Sequence, residues 1–207
     1  MLTISEEILL LMLDDETGWL SVALPGHRIR AAISGAVLMD LALADRIDTD
    51  LEHLFLVNPE PAGEPALDHA LGRIREDEER RPIDHWVDVF TRDHEAVRAR
   101  IDERLVERGI VSRDRFGRLL VMGGHHLVAA DGTPYRDVRR RIAGELMNDE
   151  IPDPRDIMII SLVDTCMLWP ILIDESRFDL LAPRIQQIAR LDLIGQAVGR
   201  FVSMWWG

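Results

Sequence analysis

Two stretches of this 207-residue chain place an apolar residue at every fourth position, the spacing of one face of an α-helix. The first predicts a helix from about Arg30 to Arg46, and the second predicts a helix from about His94 to Arg108. Gly35, inside the first stretch, indicates close packing between helices rather than a break. The apolar positions are Ile29, Ile33, Val37 and Leu41 in the first stretch and Val97, Ile101 and Leu105 in the second. A mostly helical fold follows from these two patterns.

Start and stop signals add further helices. Thr3-x-x-Glu6 is a capping box, which predicts a helix through Leu13. Pro82 is predicted to begin a helix that runs through Phe90. Gly109 is placed to end the helix that begins at about His94. Additional helices are predicted over residues 66–75 and 134–146, and two or three more follow the break at 152–154.

The β content is predicted to be small. Short strands are expected at Trp19–Leu24 and Leu54–Val57, and Ile110–Val111 is expected to pair with Leu119–Val121 across the turn Arg113–Gly117. The predicted fold class is mostly α: a single compact helical domain over residues 1–207, with a protruding β-hairpin and small β elements.

The charge is strongly acidic and unevenly spread. The chain has 37 acidic residues and 24 basic ones, all of them arginine, for a formal net charge of −13. This balance disfavours broad nucleic-acid binding, which depends on neutralised phosphates. Residues 96–141 nevertheless hold 11 arginines against 6 acidic residues. They predict either a face for an anionic partner or a solvated helix face compensated by acids elsewhere.

Neither a membrane span nor a catalytic motif is found in the sequence. The most apolar run, Ile157–Ile173, is short for a bilayer span and contains Asp164 and Pro170. Cys166 in this run reads as a buried structural thiol, and a single cysteine fits a reducing cytosol. His125 and His126 have no further metal ligand at a recognisable spacing. We therefore expect a cytoplasmic, non-enzymatic protein with no metal and no cofactor, at most peripheral to a membrane.

Three landmarks, taken in order, resemble the Golgi phosphoprotein 3 family. They are the opening Leu2–Leu11 with the Asp-Asp-Glu-Thr-Gly turn after it, the segment Gly35–Ile47, and the segment Leu105–Val111. The resemblance implies a mostly helical domain, which in eukaryotic members is a peripheral Golgi protein that binds phosphatidylinositol 4-phosphate and the cytosolic tails of glycosyltransferases. The acidic arm that precedes the domain in eukaryotic members is absent from this sequence, which therefore looks like a bacterial-type member.

The resemblance also implies a lipid-headgroup pocket, which this chain matches in part. The second of the family's paired basic residues falls on Arg98, whereas the first falls on Glu95 and the helix arginine falls on Ser34. The family's loop tryptophan has no counterpart in residues 24–27. Because a phosphate needs convergent donors rather than fixed positions, Arg28 and Arg30 are predicted to substitute.

The family resemblance and the apolar hairpin strands together predict self-association. We expect the hairpin residues Phe116, Leu119 and Val121 to mediate a homo-oligomer, since exposed apolar strand edges tend to pair.

Two alternatives stay open. A helix followed by a hairpin is also the end of a winged helix, in which arginines would meet DNA phosphates. The residues in that role would be Arg100, Arg104, Arg113, Arg115 and Arg118. The second alternative is a scaffold that binds a protein client and no lipid. An anionic phospholipid headgroup remains the favoured partner.

Overall fold

The computed structural model describes residues 1–13, 24–50, 53–113, 127–129 and 133–206. Within these ranges it contains nine α-helices, which confirms the mostly helical fold class. Their bounds are α1 Ile4–Leu11, α2 Gly26–Leu43, α3 Pro65–Glu76, α4 Ile83–Arg92, α5 His94–Glu107, α6 Thr133–Met147, α7 Pro154–Thr165, α8 Glu175–Ala189 and α9 Leu193–Trp206. A 3-10 helix, Trp169–Ile171, lies between α7 and α8.

The first helix begins at the predicted capping box. The Thr3 side chain accepts a hydrogen bond from the Glu6 amide, and the Glu6 side chain accepts one from the Thr3 amide. Asp40 of α2 adds two more acceptors, because its carboxylate receives the amides of Ile4 at 2.7 Å and Ser5 at 2.8 Å. Four amides at the start of α1 are therefore satisfied by side chains. Burial raises the pKa of Asp40 to about 6.

The second helix is the centre of the core and packs against α1, α3, α4, α5, α7 and α9. Gly35 is the closest point of this packing. A Cβ atom at that position would lie 2.8 Å from a methyl carbon of Leu162 in α7 and 2.8 Å from one of Val198 in α9. The glycine is required because any larger side chain would overlap both neighbours, which confirms the predicted close helix packing.

The β elements are small, as predicted, and form two units. The first is an antiparallel sheet in the order β1 Ile47–Thr49, β2 His53–Leu56 and β3 Arg81–Pro82. In the second, β4 Val111–Arg113 pairs antiparallel with β5 Leu127–Ala129, so that Ser112 lies opposite Val128. The predicted partner strand Leu119–Val121 lies outside the described residues, as does most of the predicted strand Trp19–Leu24. The strand β5 was not predicted.

The apolar run near the C-terminus is interrupted in the way its sequence suggested. It forms α7 and then the 3-10 helix that contains Pro170, and the two are separated by a turn in which Met167 has a φ of 54°. Across the part of the chain that the structure describes, no helix combines the length and the apolar character needed to cross a bilayer. Cys166 is fully buried, and burial raises the pKa of its thiol to about 12.

Candidate anion-binding surfaces

Several arginines of the basic segment 96–141 are engaged by carboxylates in the core. Arg104 and Arg108 of α5 both contact Glu6, whose side chain is only 2% exposed, and Arg108 does so at 2.9 Å. Arg104 also pairs with Glu64. Arg104 and Arg108 are therefore compensated by an acidic residue distant in sequence, because a buried carboxylate must be paired.

A second buried carboxylate on α1 takes another arginine from the same segment. Arg141 of α6 contacts Glu7 at 2.6 Å and Asp156 at 3.0 Å, and Arg155 contacts Glu7 at 3.3 Å. Asp156 also lies in the first turn of α7. These pairs reduce the positive charge that the segment 96–141 presents to solvent.

This pairing also bears on the winged-helix alternative. In that arrangement the arginines of α5 would face DNA, but Arg104 is held by Glu6 and Glu64. Arg115 and Arg118 lie outside the described residues. The arrangement of α5 therefore gives the DNA-binding alternative no support.

Two of the three predicted headgroup residues are brought together around His94. Burial lowers the pKa of His94, and the guanidinium groups of Arg30 and Arg98 lower it further, against an opposing effect of Glu95. Both arginines therefore lie near the first turn of α5. The Nε atom of Arg98 is 3.5 Å from a carboxylate oxygen of Asp102, and 15% of the Arg98 side chain is exposed.

The start of α2 lies close to the same cluster. A Cβ atom on Gly26, the first residue of α2, would be 3.7 Å from an Nη atom of Arg30. No side chain caps the helix, since Pro25 precedes it. The arginine head group thus lies beside the positive end of a helix dipole, and both favour an anion.

The two positions that depart from the family pattern have distinct environments. Ser34 is 1% exposed, donates its hydroxyl to the Arg30 carbonyl at 2.9 Å, and lies 3.2 Å from the Thr91 hydroxyl between α2 and α4. Glu95 is exposed. One family position is therefore a buried polar contact in this chain, and the other carries negative charge beside the cluster of Arg30, His94 and Arg98.

Arg28, the third predicted residue, lines a separate feature. It faces a cavity of about 1420 Å³ between α2, α6 and the segment from the end of α7 to the start of α8. The charged lining residues are Arg28, Arg136, Arg139, Arg140, Arg177, Asp164 and Asp174, and the apolar ones include Met167, Trp169, Leu172, Ile173 and Phe178. The sequence does not reveal this cavity, because its lining residues come from three separate segments.

The remaining candidate residues lie in a part of the chain that the structure does not describe. Phe116, Leu119 and Val121, predicted for the oligomerisation hairpin, fall outside the described residues, as do His125 and His126. Among the side chains that are described, no group of three or more His, Cys, Asp or Glu residues is arranged to hold a metal ion.

The architecture defines a mostly α-helical domain with a short antiparallel sheet and a paired strand unit after its fifth helix. The sequence model of the Golgi phosphoprotein 3 family (GPP34) matches residues 4–204. The chain belongs to this family.

One curated protein is similar to a smaller part of this chain than the family model is. Vacuolar protein sorting-associated protein 74 of Eremothecium gossypii is 29% identical over 167 residues, which is 70% of this chain. The match covers 49% of that protein, so the chain spans about half the length of this curated relative.

Proposed function

We propose that the protein is a non-enzymatic adaptor that associates peripherally with a membrane and binds the headgroup of phosphatidylinositol 4-phosphate or another anionic lipid. Membership of the Golgi phosphoprotein 3 family supports the class. The observation that carries the site is the convergence of Arg30 and Arg98 on His94, beside the start of α2. We further propose a cytoplasmic location, a protein client and self-association through Phe116, Leu119 and Val121.

The chemistry of the cluster suits a phosphate group. A guanidinium donates paired N–H groups to two phosphate oxygens, and the positive end of a helix dipole attracts negative charge. Arg30 supplies the guanidinium, the start of α2 supplies the helix dipole, and Arg98 adds charge from α5. Arg28 is the third residue of the proposal, and its position in the neighbouring cavity requires that its contribution be tested separately.

The departures at Ser34 and Glu95 predict weaker selectivity than a site with a full set of basic residues. Ser34 is buried and engaged with Arg30 and Thr91, so it brings no positive charge. Glu95 repels a phosphate approaching His94 and Arg98. We expect a headgroup affinity that depends strongly on salt, because exposed charges are screened over about 8 Å at physiological ionic strength.

The test is co-sedimentation with three kinds of vesicle at low and physiological salt. One kind is phosphatidylcholine only, one contains phosphatidylserine, and one contains phosphatidylinositol 4-phosphate. Arg98→Gln is preferred to a charge reversal, since Asp102 lies 3.5 Å from Arg98 and a new carboxylate there would destabilise the fold. Arg30→Glu is the second variant. Arg190→Glu is the matched control, because Arg190 is exposed at the end of α8.

We expect the wild-type protein to pellet preferentially with the phosphoinositide. Arg30→Glu and Arg98→Gln should each lower the affinity at least about tenfold, which corresponds to about 1.4 kcal/mol. Arg190→Glu should match the wild type. Equal pelleting with both anionic vesicles would restrict the function to a general electrostatic surface. No pelleting with any vesicle would overturn lipid binding and leave the protein-scaffold alternative.

His94 provides a second readout that reports on the site itself. Its pKa lies below the ordinary value of 6.5 because of burial and the two guanidinium groups. A bound phosphate would offset the arginine charges and raise this pKa, so the imidazole would gain a proton at a higher pH. Vesicle binding should accordingly strengthen as the pH falls below 6.5, and titration of His94 by NMR with soluble inositol phosphate should show the upward shift.

A further inference from the structure

The large cavity beside α6 concentrates positive charge in an acidic protein. Its lining holds five arginines and two aspartates, whereas the whole chain has a formal net charge of −13. The arginines come from three elements: Arg28 from α2, Arg177 from α8, and the others from α6. Because these elements are distant in sequence, the concentration is a product of the fold and not of one basic segment.

Two of these arginines are available to a ligand. Among the described residues, no carboxylate lies within ion-pair distance of Arg28 or Arg177, and the Nε atom of Arg28 is buried without a hydrogen-bond partner. Burying a guanidinium atom without a partner is costly. An anion in the cavity would supply that partner.

The acidic residues of the lining are either engaged or peripheral. Asp164 accepts a hydrogen bond from the Trp169 indole N–H at 2.9 Å, which orients the ring. Asp174 is exposed at the N-terminus of α8, where its negative charge interacts favourably with the positive end of the helix dipole. The pair Arg140–Asp137 is 3.5 Å apart, and both side chains are more than half exposed, so it is weak.

The rest of the lining is apolar and partly aromatic. Trp169 is 4% exposed, and its ring centroid is 6.3 Å from that of Phe178. Met167 is 55% exposed at the same cavity. An exposed methionine beside two aromatic rings gives an adaptable apolar surface for a flat or aliphatic group.

We propose that this cavity binds a phosphate-bearing small molecule that also has an aromatic or aliphatic part. Arg28 and Arg177 would hold the phosphate, and Trp169, Phe178 and Met167 would contact the apolar part. Ligand pockets usually measure about 300–1,000 Å³, so the cavity has room for a nucleotide or for a short phospholipid. Apart from Arg28, which the headgroup proposal also names, this site uses other residues than the proposed headgroup site at Arg30, His94 and Arg98, and it does not depend on those three residues.

The test is isothermal titration calorimetry of the full chain with three probes. ATP supplies phosphate with an aromatic ring, dihexanoyl phosphatidic acid supplies phosphate with aliphatic chains, and pyrophosphate supplies phosphate alone. Arg177→Glu is the main variant, because Arg177 is exposed on α8 and its replacement leaves the core intact. Arg190→Glu, at the end of the same helix, is the control for charge, and Arg30→Glu is the control for the headgroup site.

We expect ATP or the phosphatidic acid to bind at least tenfold more tightly than pyrophosphate, and Arg177→Glu to weaken this binding at least tenfold. Arg190→Glu and Arg30→Glu should leave it unchanged. Preference between ATP and the phosphatidic acid would distinguish a nucleotide from a lipid as the source of the phosphate. Absence of binding by all three probes, or equal loss in Arg177→Glu and Arg190→Glu, would overturn the proposal. Loss in Arg30→Glu alone would assign the binding to the headgroup site.

Discussion

At the scale of single residues, the most informative feature is the burial of Glu6 and Glu7 on α1. Both are less than 3% exposed, and they lie on two sides of the helix with separate arginine partners. The sequence identified Glu6 as part of a capping box, which is a local pattern. It could not identify Arg104, Arg108 or Arg141 as partners, because these residues are about a hundred or more positions away.

The arginines that pair with Glu6 should contribute more to the free energy of unfolding than the arginines of α5 that contact no carboxylate. We predict that Arg104→Ala lowers the free energy of unfolding by about 3 kcal/mol, because it removes a partner from a buried carboxylate. Denaturation by urea, followed by circular dichroism, measures the loss.

Arg100→Ala is the matched control for this experiment. The Nη1 atom of Arg100, one turn earlier on α5, donates to the Ala96 carbonyl and contacts no carboxylate among the hydrogen bonds of the described residues. We expect its replacement to cost about 0.5 kcal/mol or less. Similar losses in both variants would show that the Glu6 pairing adds little to stability.

At the scale of helices and strands, periodicity was sufficient for most of the fold. The helix predicted from Arg30 begins four residues earlier, at Gly26, because extended Pro25 immediately precedes it. The predicted stop at Gly109 is confirmed by its φ of 67°, a conformation that glycine adopts without strain. The pairing of β4 with β5 was not predicted, because the register of strands that are not adjacent in sequence depends on tertiary contacts that no local pattern records.

The packing of α2 against α7 and α9 gives a prediction for Gly35. We expect Gly35→Ala to destabilise the protein by about 1–3 kcal/mol, since its Cβ atom would lie 2.8 Å from both Leu162 and Val198. Gly72→Ala is the control, because a Cβ atom at that helical position of α3 meets nothing within 4 Å.

The control should move in the opposite direction. Alanine has a higher helix propensity than glycine, so Gly72→Ala should be neutral or stabilise by up to about 1 kcal/mol. Thermal unfolding of the two variants and wild type measures both effects. An unchanged midpoint for Gly35→Ala would mean that α7 and α9 can move apart at no cost.

At the scale of the whole molecule, the family and the fold class were accessible from sequence, whereas the binding surfaces were only partly so. Arg98 was named from the family pattern and Arg30 as a substitute phosphate donor, and the binding of a headgroup by these two residues stays a prediction. The separate place of Arg28 was not foreseen, since Arg28 and Arg30 are two residues apart and project from different sides of α2.

Self-association is the prediction that belongs to this scale. We expect the wild-type protein to form a homo-oligomer and Phe116→Asp to shift it toward the monomer, since a charge in an apolar strand interface is costly. Sedimentation velocity over a range of concentrations measures this. Leu180→Asp is the control, because Leu180 is 76% exposed on α8. A monomeric wild type, or dissociation by Leu180→Asp alone, would contradict the role of the hairpin.

The position of α1 has a consequence for how the chain acquires its structure during translation. The helix is made before its partners, because Arg141, Arg155 and Asp156 around Glu7 follow it by more than 130 residues. At about 5–20 residues per second, this interval lasts roughly seven to thirty seconds. Throughout this interval, the apolar helix α1 lacks the residues that surround Glu7 in the folded protein. The nascent chain therefore passes through a long vulnerable stage, in which a ribosome-associated chaperone has the apolar segment α1 to protect.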